Sequence, residues 1–120
     1  MDTALPVLVV DDSRTTALAI SDLLHKVGFA EVDVAHDAHS ALDHLRDKHY
    51  GLVLSDWEMQ PMGGNELLQA MRQNGKLGKI PVIVMTASSA GRGASWLAGA
   101  AAYLRKPFNE GELRQAIKRL

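Results

Sequence analysis

The chain has 120 residues, 47% of them hydrophobic and 22% charged, with a formal net charge of −1. That length suits one domain with a core of its own, and the near-neutral balance excludes a strongly basic nucleic-acid face or a polybasic membrane patch. With no cysteine, disulfide frameworks and thiolate metal sites are excluded too. The first residues, MDTALPVLVVDD, lack the basic start and small-residue cleavage site of a signal peptide. No apolar stretch approaches the ~20 residues of a membrane span. A cytoplasmic protein with no nucleic-acid and no membrane partner is expected.

Leu5 to Val10 is the first predicted strand, and it runs into Asp11-Asp12. Ser13 is placed to cap a helix in which Ala17, Ile20, Leu24 and Val27 recur at helical spacing, with Gly28 just past its end. Glu31-Val32-Asp33-Val34 alternates as a strand with one covered face does. Asp37 caps a second helix carrying Ala38, Ala41, Leu42 and Leu45, and Leu52–Leu54 is a third strand. A loop with a proline and two glycines leads to a helix with Leu67, Leu68 and Met71. Ile80 to Met85 is a fourth strand that ends at Thr86. A weaker helical stretch precedes a short fifth strand, Ala101–Leu104, which ends near Lys106-Pro107. Asn109 with Glu112 makes a capping box for a last helix with Leu113, Ile117 and Leu120 on one face.

Strand and helix alternating five times imply an α/β fold with a parallel sheet. Strands one, three and four are apolar almost throughout, as buried central strands are, whereas strand two alternates and strand five is short and mixed. The expected fold is therefore a flavodoxin-like (βα)5 three-layer sandwich with strand order 2-1-3-4-5, one domain over residues 1–120 with its core in 5–120. The chain is too short for an eight-stranded barrel, which needs ~200 residues or more.

In such sheets, sites form beyond the carboxyl ends of the strands. Asp11 and Asp12 end strand one, Asp56 strand three, Thr86 and Ala87 strand four, and Lys106 strand five. Acids that close repel one another unless a cation joins them, and hard oxygen donors without thiolate suit Mg2+ or Mn2+. A metal, an ammonium and a hydroxyl around one carboxylate suit phosphoryl transfer, with Asp56 as nucleophile.

On VLVVDDS at 7–13, SDWEMQPMGG at 55–64, VIVMTA at 82–87 and YLRKPF at 103–108, the chain resembles the receiver domains of bacterial two-component response regulators, the single-domain chemotaxis type most of all. The resemblance implies a signalling switch, not a turnover enzyme. Asp56 is then the phosphoacceptor, Asp11 and Asp12 the acidic pair that holds Mg2+, and the Glu58 carbonyl a further metal ligand. Thr86 and Lys106 bind phosphoryl oxygens, as do the backbone amides of Trp57 and Ala87. Tyr103 is the aromatic switch residue that moves with Thr86. The peptide before Pro107 is expected to be cis. A sensor histidine kinase or a histidine phosphotransfer protein donates the phosphoryl group. The face of helix four, strand five and helix five meets an unidentified downstream target, the protein acting as a monomer or a phosphorylation-dependent dimer.

Two stretches depart from that family pattern. In the family the positions of Glu58 and Ser88 flank the path of the hydrolytic water, so the resemblance implies that Glu58 tunes the lifetime of the phosphorylated state. The stretch SSAGRGASWLAGA at 88–100 carries Gly91 and Gly93, each costing about 1 kcal/mol in a helix interior, so a short, late-starting or mobile fourth helix is expected. His25, His36, His39, His44 and His49 lack a cysteine partner and read as surface residues rather than a zinc site. Met59, Met62 and Met71 read as loop and core fillers. A phosphoaspartate hydrolase also uses a strand-end aspartate with Mg2+, but this chain has no room for a cap domain. A pseudo-receiver that never takes phosphate would not need the complete set of five side chains.

Overall fold

The computed structural model describes residues 2–87 and 99–120. Five strands, β1 (Val7–Val10), β2 (Val32–Ala35), β3 (Leu52–Asp56), β4 (Val82–Thr86) and β5 (Ala102–Arg105), form one parallel sheet in the order β2-β1-β3-β4-β5. The helices among the described residues are α1 (Arg14–Val27), α2 (Ala38–Asp47), α3 (Gly64–Gln73) and a last helix, Glu110–Lys118. The expected helix between β4 and β5, with Ser88, Arg92 and Trp96, lies outside the described residues.

Side chains leave a strand alternately to its two faces, and both faces here are covered. Leu8, Val10, Val53, Val82 and Val84 pack on one side with Ala41 and Leu45 of α2 and Leu67, Leu68 and Met71 of α3. Val7, Val9, Leu52, Leu54, Ile83 and Met85 pack on the other with Ala17, Ile20 and Leu24 of α1 and Leu113 and Ala116 of the last helix. Two covered faces explain why the central strands read as unbroken apolar runs.

Local chemistry sets the helix boundaries. The side chains of Ser13, Asp37 and Asn109 accept hydrogen bonds from the N–H groups of Thr16, Ser40 and Glu112, satisfying donors that a helix start leaves unpaired. Gly28, at φ +122°, ends α1 by donating to the carbonyls of Leu24 and His25. Every strand and one helix differ from expectation in a limit: β2 runs one residue later than expected, and β3 continues through Ser55 to Asp56. β1 and β4 each begin just after a proline, Pro6 and Pro81, because a residue without an N–H cannot extend the ladder on that side. β5 runs one residue later than expected, and the last helix stops at Lys118, which leaves Leu120 exposed rather than packed.

The alternation of β2 has a second cause besides a covered face. Asp33 is half-buried, and its carboxylate accepts hydrogen bonds from the buried Tyr50 hydroxyl at 2.6 Å and from Lys48 Nζ at 2.8 Å. Lys48 also pairs with Glu31. Burial alone raises the Asp33 carboxyl, but the bonds from Lys48 and Tyr50 bring it below its ordinary value.

Candidate functional site

At the carboxyl edge of the sheet, strand ends deliver the acids on rigid backbone. Asp56 is the last residue of β3, opposite Met85 of β4. Asp11 follows β1, its N–H bonded to the Ala35 carbonyl at 3.1 Å, which prolongs the β1–β2 pairing by one residue. Both carboxylates are buried, at 3% and 1% exposure, whereas Asp12 faces solvent. One oxygen of each of the three lies within 4.8 Å of the others. Lys106, one residue beyond β5, reaches across with Nζ 3.2 Å from Asp11 and 3.3 Å from Asp56. The Lys106-Pro107 peptide is cis, as is Gln60-Pro61.

Burial pushes the Asp56 carboxyl up to about 6; Lys106 lowers it and Asp11 raises it again. Burial works against the Lys106 charge, but Asp56 and Asp11 outweigh it and hold the ammonium above its ordinary value. Three carboxylates against one ammonium leave the cluster two formal charges negative. A divalent cation cancels that deficit, and an all-oxygen donor set on two neighbouring strands fits a hard ion.

The residues that the resemblance assigns to phosphoryl oxygens lie at the same edge of the sheet. Thr86 ends β4, fully buried, and its carbonyl accepts from the Lys106 N–H at 2.7 Å, aligning the two strand ends. Ala87 follows, exposed. The Trp57 N–H belongs to the sheet: it donates to the Met85 carbonyl at 2.8 Å, so the ladder claims the amide that the resemblance places on phosphoryl oxygens. The Glu58 N–H donates to Asp56 Oδ1 at 3.3 Å. Tyr103 is half-buried on β5, opposite Val84. Ser88 lies outside the described residues.

Two contacts at the site are invisible to periodicity and spacing. The Glu58 carboxylate, on an exposed loop residue, accepts a hydrogen bond from the Thr86 hydroxyl. Gly64 packs so closely beneath the site that a Cβ there would lie 2.4 Å from the Asp56 carbonyl oxygen and 2.8 Å from the Trp57 Cα. The glycine in the sequence was a usable signal for the second contact; no signal in the sequence pointed to the first. Of the other candidates, His36 and His44 bond backbone carbonyls of Asp11 and Ser40, and no histidine joins a metal-type cluster among the described residues. Met59 and Met71 are core residues and Met62 packs against them.

The family model for the response regulator receiver domain matches residues 7–118. The chain belongs to that family. It is 32% identical over 116 residues to the chemotaxis protein CheY of Pseudomonas aeruginosa, covering 95% of this chain and 94% of that protein. CheY-3 of Vibrio cholerae is 30% identical over the same length, covering 89% of that protein. Among solved structures, CheY4 of Vibrio cholerae superposes with a TM-score of 0.87 at 29% identity, covering 97% of this chain and 98% of that one. The chain is thus a CheY-like receiver, a signalling switch of phosphorelay type rather than a turnover enzyme, with an acidic pocket of Asp11, Asp12 and Asp56 that can hold a metal ion. No helix among the described residues is long and apolar enough to cross a membrane.

Proposed function

We propose that Asp56 accepts a phosphoryl group from the phosphohistidine of a sensor histidine kinase or a histidine phosphotransfer protein, and that the resulting change is read by another protein. The observation that carries this reading is one carboxylate, buried at a strand end, held between an ammonium and a second acid. An Asp56 oxygen attacks phosphorus, the bond from phosphorus to the donor imidazole breaks, and its electron pair leaves with the imidazole nitrogen, which takes up a proton from solvent. Asp11, Asp12, Asp56 and the Glu58 carbonyl would hold a divalent ion, Mg2+ or Mn2+, whose charge would balance that of the phosphoryl oxygens. Lys106, the Thr86 hydroxyl and the amides of Glu58, Ala87 and Trp57 are the donors assigned to those oxygens, Trp57 only if its N–H is shared with the ladder.

A groove of about 370 Å³ lies between α1 and the turn after β5, lined by Ile20, Leu23, Pro107 and Phe108, and it opens on Lys106. A donor helix laid along this apolar strip would bring its histidine to the mouth of the site, which supports a helical phosphodonor partner. Tyr103 and the surface of β5 and the last helix form the output side, with residues 88–98 assigned to it from sequence alone. We place the protein in the cytoplasm, as one receiver unit over residues 5–120, monomeric or dimerising on phosphorylation.

Incubation with Mg2+ and acetyl phosphate or phosphoramidate is expected to add about 80 Da, one PO3H unit, to the wild type and nothing to Asp56→Asn. Equal mass gain in both would remove Asp56 from its role. The decay of the same adduct reports on Glu58: Glu58→Gln is expected to change its lifetime, and an unchanged decay removes the tuning assigned to Glu58 and Ser88.

A further inference from the structure

At this site a phosphoryl oxygen and a protein carboxylate both call on the Thr86 hydroxyl. It donates to Glu58, whose side chain reaches back over the site from an exposed loop position two residues after Asp56. A hydroxyl carries one proton, so it serves one acceptor at a time. A carboxylate acceptor makes the stronger, charge-assisted kind of bond. The Glu58 backbone also stays close to Asp56 through its N–H, at 3.3 Å, which keeps the side chain within reach of Thr86.

We propose that Glu58 is a latch: its carboxylate holds the Thr86 hydroxyl in the resting state and competes with the incoming phosphoryl oxygen for the same proton. Phosphorylation must then break the Glu58–Thr86 bond before Thr86 can turn to phosphate, so Glu58 sets how far the switch is driven at equilibrium. This differs from setting the rate at which phosphate is lost, and it rests on Asp56 being the phosphoacceptor. Glu58 is a positioning residue, acting through Thr86. Differential affinity of a ligand for the two states is what moves such an equilibrium, and the latch subtracts from that difference.

Beryllofluoride with Mg2+, followed by the fluorescence of Trp57 beside the site, measures the equilibrium without any hydrolysis. Glu58→Ala, which deletes the acceptor, is expected to lower the half-saturating beryllofluoride concentration roughly three- to tenfold. Glu58→Gln, a neutral acceptor, is expected to fall between Glu58→Ala and wild type. In a Thr86→Val background, which has no hydroxyl to hold, the Glu58→Ala effect is expected to vanish. A wild-type midpoint in Glu58→Ala overturns the latch, and so does an undiminished effect on top of Thr86→Val, which would mean simple charge repulsion. If Thr86→Val binds too weakly to titrate, the carboxyl carbon resonance of Glu58 in the unliganded protein decides. It should shift between wild type and Thr86→Val, and an unshifted resonance overturns the proposal. Failure of the phosphoacceptor reading looks different: wild type and Asp56→Asn would then respond to beryllofluoride alike.

Discussion

The Asp56 carboxyl sits at about 6 instead of 3.8 because burial, and then Asp11, disfavour its charge more than Lys106 favours it. The folded protein therefore holds this proton more tightly than the unfolded chain does. The stabilisation from that group is complete below 3.8 and is lost as pH rises through about 6. Above that pH the metal-free fold carries a poorly solvated charge. Asp56→Asn is thus expected to melt roughly 5 °C higher than the metal-free wild type at about pH 8, with the gap closing near pH 5. Mg2+ should raise the melting temperature of the wild type at the higher pH and do little at the lower one, where a proton occupies the same oxygen. A pH-independent gap between the two proteins would sink this account. The carboxylates were legible in the sequence because each closes an apolar run. The Glu58–Thr86 bond was not, because it joins residues 28 positions apart through side-chain reach rather than through any repeat.

At the scale of elements, the loop from β3 to α3 does the most delicate positioning. Its two ends meet where the Gly64 N–H donates to the Trp57 carbonyl at 3.0 Å, and the Gly63 N–H is capped by Glu66 at 2.8 Å. Only a residue without a Cβ fits at Gly64, since the atoms it would strike are backbone and cannot swing aside. Gly64→Ala is expected to cost about 1–3 kcal/mol of stability, read from a denaturant midpoint, and to slow phosphorylation by displacing Asp56. Wild-type values for both would show that the loop yields without effect. Most helices were legible because caps and amphipathic spacing are local: Ser13, Asp37 and Asn109 bond within three residues of themselves. Strand starts were legible only in part, because the prolines at 6 and 81 were read as members of strands that in fact begin after them.

For the whole molecule, Arg72 ties the parts together in a way no motif announced. From the end of α3 its guanidinium donates to the carbonyls of Gly78 and Ile80, at 3.1 and 3.0 Å, and of Gly99, at 2.9 Å. One side chain thus joins α3, the entry to β4 and the turn that enters β5. A planar fork with several donors can do this, and a lysine ammonium on a flexible stem cannot do it as well. Arg72→Ala is expected to lose about 1–3 kcal/mol, because the partly buried carbonyls lose charge-assisted partners, and Arg72→Lys should recover only a small part. Full recovery by lysine would reduce the role of Arg72 to its charge. The clamp sits at the amino ends of β4 and β5, across the sheet from Asp56, so beryllofluoride binding should change far less than stability does.

The order of elements, the two-sided burial of the central strands and the gathering of Asp11, Asp12, Asp56, Thr86 and Lys106 at one sheet edge were already determined by the sequence. They follow from hydrophobic period and from the rule that parallel strands all end on the same side. What the tertiary structure alone decided is which polar groups meet: Glu58 with Thr86, Tyr50 and Lys48 with Asp33, Arg72 with three carbonyls. Periodicity says which face a side chain takes. Hydrogen bonds are directional and short, so their partners depend on how distant segments come to rest against one another in three dimensions.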